Sequence, residues 1–579
     1  MRVSFQHANP RQGNESTVLR FVDGETRACL LVDSGEGVDL DRLLGDEEYL
    51  TAVLLTHAHI DHYRTLGKNV RHSASVYASP ATAAVIEQSL PEARKDNDLG
   101  DVDSVLRAVE PIDGWTSVLD GLEVRPIPAG HTPGAAGFLL RFRDETAAAD
   151  TPLSTTTQTI LVTGDFTMGP SAGFPPMPDS FPFDVDAVFL NAPRSDGDVT
   201  ETRTAAIRTV LERAYGGSRV VLAASALTGV RYAVLLARAG QALERPVPIS
   251  LVGQTARVYD ALELDEPGVD TRPVFDRPST VLEHGRVTIA GPDEPTAGSA
   301  KRLLRTIHDE PGDVFVQLSS GAATAVTNAT CTTHYVETTD HPSLDEIDEF
   351  VRSLAPTEVI VKHANRYVSR QFQRRYDRCF TWGVSDDDEH VLYADGDWIA
   401  PPWIGESAER QIRRKQWRAR GDQPIAAESD ALALERESVD LGAEGVDLAV
   451  IGSRLSSSIS NPYGGESTDD GSTLEFESDV TGPSPAVGVE DDSDTAGDAD
   501  TRATTDVDRA DGPSRERDEA TAAETDSTDR TVRARVLGDG EGETILRVLE
   551  STDLEPGTEL DVTISETNDS SAGNGHDDR

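Results

Sequence analysis

The sequence predicts an α/β protein with two folded parts followed by a long acidic region. Residues 1 to about 195 alternate short apolar runs with turns, which is typical of β-strands. Residues 196–335 alternate strand and helix patterns, which is typical of a parallel α/β unit. Past residue 421 the chain is acidic and poor in apolar residues. Its 579 residues are too many for one core, and a size of roughly 150 residues per domain allows three or four units.

The strands of the first part are predicted from runs rich in Val, Leu and Ile: STVLRF, ACLLVD, LTAVLLTHAH, SVYAS, LEVRPIPAG, GFLLRF, TILVTGDF and DAVFLN. A helix is expected over Ser79–Leu90, opened by Pro80, and another near Val105. Residues 145–158 are interpreted as a long hairpin loop. In the second part we expect four helices, over 201–215, 229–242, 255–264 and 298–308, each next to an apolar strand. An amphipathic helix over 343–355 leads into the strand EVIVKHAN.

The C-terminal region divides by composition. Residues 406–420 are basic. Residues 421–529 are predicted to be a disordered acidic linker, since 421–528 contain 28 acidic residues against six Arg and no Lys. A short element over Leu432–Leu455 is the exception. Residues 530–566 alternate apolar and polar positions around turns, which predicts a small β module. The region after residue 421 is therefore expected to be dispensable for turnover.

The charge and the cysteines indicate the environment. Asp and Glu number 102 against 53 Lys and Arg, a net charge of −49, and only five residues are Lys. This acid excess resembles proteins of organisms with molar salt in the cytoplasm; the alternative is an acidic protein with a disordered tail. No apolar run reaches the ~20 residues of a membrane helix, and the N-terminus lacks a signal peptide's apolar segment. Three widely spaced cysteines in no CxxC pair predict no disulfide framework, so a cytoplasmic location is expected, with no membrane partner.

The run TAVLLTHAHIDH predicts a metal site. An apolar strand ends at Thr56, and His57 and His59 follow with the i, i+2 spacing that points two side chains the same way. Asp61 and His62 lie in the next loop, and imidazole and carboxylate are ligands that zinc favours. Two further strand ends, at PAGHTPGAAGF and ILVTGDF, supply a His and an Asp among small residues. A chance surface cluster of histidines is the alternative.

In their order and spacing, LLVDSG, THAHIDH, AGHTPGAAGF and TGDF resemble the four motifs of the metallo-β-lactamase superfamily, an αββα sandwich. The resemblance implies two zinc ions, with manganese as a substitute, and hydrolysis by activated water. Asp33 would orient the ligands, and Asp165 would bridge the two metal ions, with Asp61 and Asp165 taking part in catalysis. The implied ligand set is His57, His59 and His131 for one ion, and Asp61, His62 and Asp165 for the other.

The middle of the chain resembles the β-CASP branch of that superfamily, whose members act on nucleic acid. RVVLAASALTGVRYAVLLARA looks like the opening of the inserted β-CASP domain, and it places Arg231 as a substrate-binding residue. DHPSLDEIDEFVRSLAPTEVIVKHAN resembles the return to the core, which implies that His363 completes the second metal site and His341 gives a proton to the leaving oxygen or holds the phosphate. The implied domains are a core of 1–195 and 336–405 with 196–335 inserted.

Two residues depart from that pattern. The family has an acid at the end of DAVFLN, where this chain has Asn191, and that acid usually orients the histidine matched by His341. An amide accepts a hydrogen bond but stabilises a charged imidazolium less than a carboxylate does. Asn191→Asp would therefore restore the family's acid. Asp340 stands where a Ser or Gly usually precedes His341.

Basic and aromatic residues near the end of the folded part indicate nucleic acid. Arg366 and Arg370 lie in RYVSRQFQRRYDR, and Trp417 lies in RQIRRKQWRAR. Arg on phosphate with aromatic faces on bases is the pattern of single-strand binding, whereas a solvated helix face is the alternative. The sequence thus predicts a zinc-dependent ribonuclease of RNA processing or decay that binds single-stranded RNA. Hydrolysis of DNA or an ester, and a weakened RNA-binding subunit, are the other hypotheses, and a homodimer is left open.

Overall fold

The computed structural model describes residues 1–144, 157–193, 199–320, 323–364, 372, 375–384, 386–420, 432–459, 534–536 and 546–548. The chain forms two compact units, Met1–Asp469 and Asp470–Arg579. Three sheets in the first unit carry the predicted strands, and their strand bounds are β1 Arg2–His7, β2 Thr17–Asp23, β3 Thr26–Val32, β4 Leu50–Leu54, β5 Ser75–Ala78, β6 Val109–Pro111, β7 Thr116–Leu119, β8 Leu122–Pro128, β9 Ala136–Arg143, β10 Thr157–Val162, β11 Ala187–Asn191, β12 Val220–Ala223, β13 Ile249–Val252, β14 Val269–Arg272, β15 Val287–Ala290, β16 Val314–Ser319, β17 Thr332–Glu337, β18 Glu358–Lys362, β19 Phe380–Trp382, β20 His390–Ala394 and β21 Asp397–Trp398.

The seven helices that the sequence predicts are present to within a few residues of their predicted positions. The helix bounds are α1 Leu40–Leu43, α2 Ile60–Tyr63, α3 Leu66–Asn69, α4 Pro80–Ala93, α5 Val102–Ala108, α6 Val199–Tyr215, α7 Ala226–Ala242, α8 Gln254–Ala261, α9 Gly298–Ile307, α10 Leu344–Leu354, α11 Glu406–Arg420 and α12 Leu448–Ile459. Of these, α1, α2, α3, α11 and α12 are not predicted as helices from the sequence. Local signals explain two of the starts. Ser79 caps α4 with Pro80 in the first turn. Ser343 and Glu346 form a capping box at the start of α10.

The first two sheets pack face to face. One has eight strands in the order β21-β20-β1-β2-β3-β4-β5-β6, and the other has seven in the order β19-β18-β11-β10-β9-β8-β7. Neighbouring residues of β3 divide between the two faces of its sheet: Leu30 packs in the core between the sheets, and Leu31 packs with the helices outside. Because both faces of this sheet are covered, its strands have continuous apolar runs in the sequence and no alternation of apolar and polar residues. The other outer face, on the seven-stranded sheet, is covered by α10.

The third sheet is parallel throughout, and its strands β12 to β17 lie in the chain between β11 and β18 of the second sheet. Its order is β14-β13-β15-β12-β16-β17, and every pairing is parallel. Helices α6 to α8 pack on one face, and α9 packs on the other. The chain leaves the seven-stranded sheet after β11 and returns to it at β18, which pairs directly with β11. Because β11 and β18 are parallel, the chain leaves the sheet at one edge, and α10 carries it to the opposite edge, where β18 begins.

Residues 432–459, which we call the strap, include the short element that the sequence predicts over Leu432–Leu455 within the acidic region. Leu432, Val446 and Ile451 are buried, and α12 ends the strap. Leu432 joins the core under α10, whereas Val446 and Ile451 join that of the inserted part. Fully burying such a side chain contributes about 1.5–3 kcal/mol. A few apolar residues, spaced to fit an existing surface, thus suffice to dock this segment of an otherwise acidic region.

Several expectations concern residues that the structure describes only in part. In the second unit, Ala534–Val536 and Leu546–Val548 pair as antiparallel strands, within the predicted module at 530–566. The expected hairpin loop at 145–158 lies outside the described residues except for its end, because β10 begins at Thr157. Cys29, Cys331 and Cys379 are buried and free, as expected. None of the described helices is both long and apolar enough to cross a membrane.

Candidate metal centre

Loops from both packed sheets meet at one edge and carry the predicted ligands. His57, His59, Asp61 and His62 follow β4, His131 lies between β8 and β9, Asp165 follows β10, His363 follows β18, and His341 precedes α10. A backbone hydrogen bond from Ala136 N to Thr56 O, 2.9 Å long, joins the ends of β4 and β9. Gly164 has a φ of +57°, and a Cβ there would meet Thr56 Cβ at 2.7 Å. Glycine is thus required for Asp165 to approach the histidine loop.

The first group of donors is His57, His59 and His131, whose candidate ligand atoms all lie within 4.8 Å of one another. His59 Nδ1 is 3.1 Å from His57 Nε2 and 3.3 Å from His131 Nε2. Burial, with nearby positive histidines, lowers the pKa of His57. Burial also lowers the pKa of His131 to about 3. These rings are therefore neutral near pH 7, the state in which imidazole binds metal.

The second group is His57, His62 and Asp165, again within 4.8 Å. Asp165 Oδ2 lies 3.4 Å from His62 Nε2, and Asp165 Oδ1 accepts from His363 Nδ1 at 2.9 Å. Burial alone would raise the pKa of Asp165, but His363 and His62 outweigh it and hold the carboxyl ionised. Asp61 lies at the rim, 4.0 Å from His62 Nε2, with a side chain that is 56% exposed. The structure thus brings His363 to Asp165, and leaves Asp61 more distant.

Two hydrogen bonds at the back of the centre fix ring orientation. Asp33 is buried after β3 and accepts from His62 Nδ1 at 2.8 Å. It also accepts from the backbone N of Thr56 at 2.9 Å. The backbone carbonyl of Asp340 accepts from His131 Nδ1 at 2.7 Å. Each ring is thereby held with Nε2 toward the centre, which is what outer partners of metal-binding histidines do.

Asn191 faces Asp165 instead of His341. Asn191 Nδ2 donates to Asp165 Oδ1 at 2.8 Å. Asn191 Oδ1 and His341 Nδ1 are both buried without a hydrogen-bond partner among the described residues, so they do not bond to each other. Asn191 therefore does not hydrogen-bond His341 in the way that the family's acid orients the matching histidine. His341 stacks on His131, with ring centroids 4.7 Å apart, and forms a third donor group with His131 and Asp165.

Arg231, expected at the substrate, is buried in a set of four charges that we call the charge network. It donates to Asp340 Oδ1 at 2.7 Å and pairs with Glu444 Oε2 at 3.2 Å. Arg203 Nη2 also donates to Asp340 Oδ1, at 2.9 Å. Burial would raise the pKa of the Asp340 carboxyl, but Arg231 and Arg203 hold it at about 2. The guanidinium of Arg231 therefore serves these carboxylates, which corrects the substrate-binding expectation.

The other expected substrate residues are placed less fully. Arg366 and Arg370 lie outside the described residues, and Trp417 falls within α11. Sequence reasoning missed Arg203 and Glu444, since neither lies in a motif. It also missed Lys362, a buried residue just before His363 whose Nζ donates to the backbone carbonyl of Glu15. The only sequence signal for any of these was Asp340, an acid in a place where the family has a small residue.

Comparisons with known proteins agree with this geometry. Residues 30–171 match the family described as the beta-lactamase superfamily domain. No curated protein matches the sequence significantly. A solved protein of unknown function from Enterococcus faecalis is similar, with 12% identity, coverage of 68% of this chain and 99% of its own, and a TM-score of 0.47. The match of residues 30–171 to the beta-lactamase superfamily domain supports the fold of a metal-dependent hydrolase, and the His/Asp cluster is suited to metal ions.

Proposed function

We propose that this protein is a two-metal ribonuclease of the β-CASP branch, which hydrolyses phosphodiester bonds in RNA. The observation that carries the proposal is the overlap of the donor groups. His57 belongs to two of them and Asp165 to two, within a single centre. Overlapping triplets with shared members are the arrangement expected for two adjacent ions, and two-metal sites serve in-line displacement at phosphate.

The donor set fits zinc, with manganese as a substitute. Nitrogen and carboxylate oxygen donors are those that zinc prefers in proteins. His62 Nε2 is fully buried and makes no hydrogen bond with the described residues, a state that a bound cation would relieve. One ion would be held by His57, His59 and His131, and the other by His62, Asp61 and His363, with Asp165 between them.

The chain's own residues would divide the work of hydrolysis. Two bound zinc ions supply activation of water and neutralisation of phosphate charge. Asp165 and Asp33 hold the histidines in orientation, as described above. His341 lies half-buried beside His131, and its ring would bond a phosphate oxygen or hold the proton for the leaving oxygen.

Support for RNA as the substrate comes from the parts around the centre. The inserted parallel sheet of residues 220–337 is followed directly by Asp340 and His341, so a polymer bound between the core and the inserted part would reach His341. The helix Glu406–Arg420 is rich in Arg, and Arg with aromatic groups suits single strands. Arg231 is left out of the substrate contacts, since its guanidinium is buried with Asp340 and Glu444.

The test is digestion of RNA and DNA oligonucleotides, labelled at either end, by protein purified in high salt. The assay uses molar KCl with added zinc or manganese, because a net charge of −49 is strongly self-repelling without screening. Cleavage of RNA that is lost on chelation supports the proposal. His341→Ala should lower turnover by ~10²-fold, the scale of general acid catalysis, without loss of metal. His284→Ala, at an exposed histidine, is the matched control.

Other outcomes would select the alternatives. Cleavage of DNA alone would replace RNA as the substrate, and hydrolysis of a small ester without nuclease activity would indicate a different hydrolase. Tight RNA binding with no cleavage, at full metal content, would indicate the weakened RNA-binding subunit. A metal ratio near zero by elemental analysis, with no activity restored by zinc or manganese, would contradict the two-metal proposal altogether.

A further inference from the structure

The strap contacts both the core and the inserted part. On the core side, Glu437 N donates to Gly173 O at 2.8 Å, in the loop after β10. Arg436 Nε donates to Ala172 O in the same loop at 2.7 Å. On the inserted side, Arg436 Nη2 pairs with Glu266 at 2.6 Å. The strap therefore connects the core to the inserted part, in addition to the two ends of the insertion and the contacts of α8 with α4, such as Arg257–Glu92 at 2.8 Å.

Glu444 is the strap residue that enters the charge network. It is fully buried. Its Oε1 accepts from the backbone N of Gly173 at 2.8 Å, and its Oε2 accepts from Arg231 Nε at 3.3 Å and Arg231 Nη2 at 3.2 Å. One carboxylate thus holds a core loop with one oxygen and a helix of the inserted part with the other.

The network balances two positive and two negative groups away from water. Arg203 and Arg231 face Asp340 and Glu444, and the side chains of all four are at most 17% exposed. Arg231 Nη2 also donates to Pro170 O at 2.7 Å. Removal of one member leaves an uncompensated buried charge, so the remaining three groups rearrange.

The network ends at the metal centre through Asp340. Its carboxylate is held by the two arginines, and its backbone carbonyl accepts from His131 Nδ1 at 2.7 Å. The next residue is His341, whose ring stacks on that of His131. A displacement of Asp340 would therefore shift the ring of His131 and the backbone of His341 together.

We propose that Glu444 is a positioning residue of the metal centre, which acts through Arg231 and Asp340 on His131 and His341. The proposal rests on the hydrolytic function proposed for that site. It assigns the strap a part in turnover, although no strap residue belongs to the donor groups. It also accounts for Asp340, because a small residue at that position could not bind the two arginines.

The experiment compares Glu444→Gln with Glu437→Gln in the full chain loaded with zinc. Glu437 lies in the same strap, but its side chain is exposed, so the control removes the same charge from solvent. For Glu444→Gln we expect kcat on a short RNA to fall about 10- to 100-fold, as for outer partners of metal ligands. KM should stay within about two-fold, since substrate contacts are untouched. Glu437→Gln should leave kcat and metal content unchanged.

Hydrogen exchange of residues 338–343 is the readout that does not depend on activity. These amides should exchange faster in Glu444→Gln than in the parent protein or in Glu437→Gln. Because Glu444 itself bonds to Arg231 and Gly173 and not to this segment, faster exchange there would be an effect transmitted through Arg231 and Asp340. Glu444→Asp, which keeps the charge on a shorter side chain, should restore part of kcat and of the protection. If the parent protein proves not to be a nuclease, the exchange result still decides whether Glu444 positions this segment.

The outcome that overturns the proposal is unchanged exchange at 338–343 with kcat within two-fold in a folded Glu444→Gln protein. Faster exchange confined to the strap would also overturn it, since Glu444 would then anchor only the strap. Should Glu444→Gln fail to fold, Arg231→Gln with Glu444→Gln removes one charge of each sign and leaves Arg203 paired with Asp340. That double variant must show the same faster exchange, or the proposal fails.

Discussion

The metal centre and the charge network are neighbouring buried polar clusters that differ in how many of their polar atoms form hydrogen bonds. In the metal centre, His62 Nε2 and His341 Nδ1 lack a hydrogen-bond partner among the described residues, while the donor atoms of each group lie within 4.8 Å of one another. In the charge network, both guanidinium groups face carboxylates at hydrogen-bond distance. Buried polar atoms without partners are costly unless something else binds them. The first cluster is therefore built to receive a ligand, and the second to hold protein parts together.

The largest effect is expected from His57→Ala, because His57 belongs to two donor groups. We expect metal content to fall to one ion per chain or fewer, and turnover to fall by more than the ~100-fold cost of losing an outer partner. Elemental analysis and the RNA assay measure the two effects, with His284→Ala as the control. Two retained ions would mean that His57 is not a metal ligand and would break the comparison.

Loss of the strap should cost the most stability. A chain that ends at residue 421 lacks Glu444, Val446 and Ile451, whereas a chain that ends at residue 469 keeps them. Removing Glu444 from the buried charge network should by itself cost about 3–5 kcal/mol. Urea unfolding of the two shortened chains in molar KCl measures the difference. Equal stability and equal turnover would restore the original expectation that everything after residue 421 is dispensable.

Asn191→Asp should destabilise the metal-free protein by about 1–3 kcal/mol, the cost of a buried group that loses its partner. Its Nδ2 donates to Asp165 Oδ1 at 2.8 Å, so a carboxylate there would replace a donor by a like charge. Zinc should reduce the loss. The variant restores the family's acid, but we expect no upward shift of the alkaline limb of the pH–rate profile, because Asn191 does not bond to His341. Such a shift would contradict the observed geometry.

The smallest effect is expected from a substitution of His7. This buried ring has both nitrogens without a hydrogen-bond partner among the described residues, as in the metal centre, but it lies outside the three donor groups. Burial, with Lys362 nearby, lowers its pKa from 6.5 to about 3. The unfolded chain therefore takes up the proton first, and stability is lost as the pH falls from about 6.5 toward 3. Relative to the parent, His7→Leu should gain up to about 1.4 kcal/mol per pH unit below 6.5, measured by urea unfolding at pH 7 and pH 5.5.

How far the sequence could predict these features depends on how local they are. His57, His59, Asp61 and His62 lie within six residues after one strand, so the run THAHIDH alone indicated a metal site. The predicted strands and helices could likewise be found from the spacing of apolar residues, because that spacing is also local in the sequence. His131 and Asp165 needed the family pattern, because only the folded sheet edge brings them to the histidines.

The charge network could not be predicted because its partners are far apart in sequence. Arg231 lies in a run that suggested substrate binding, and its burial depends on Glu444, 213 positions away. Glu444 lies within the short element predicted over Leu432–Leu455, but the sequence pattern of that element does not indicate which part of the fold it contacts. The contact of Asn191 was misassigned since the pattern fixed its strand position but not which side chain it would face.

The position of the strap in the chain also sets an order of assembly during synthesis. Asp340 and Glu444 are 104 residues apart (444 − 340). At about 5–20 residues per second, Glu444 leaves the peptidyl-transferase centre about 5–20 s after Asp340. The last core strand ends at Trp398, so the core and the inserted part are complete in sequence before Glu444 is added, and until then Arg231 has no Glu444 to bind. The nascent chain therefore acquires all its candidate metal ligands first, and the contact that we propose to position His341 comes last.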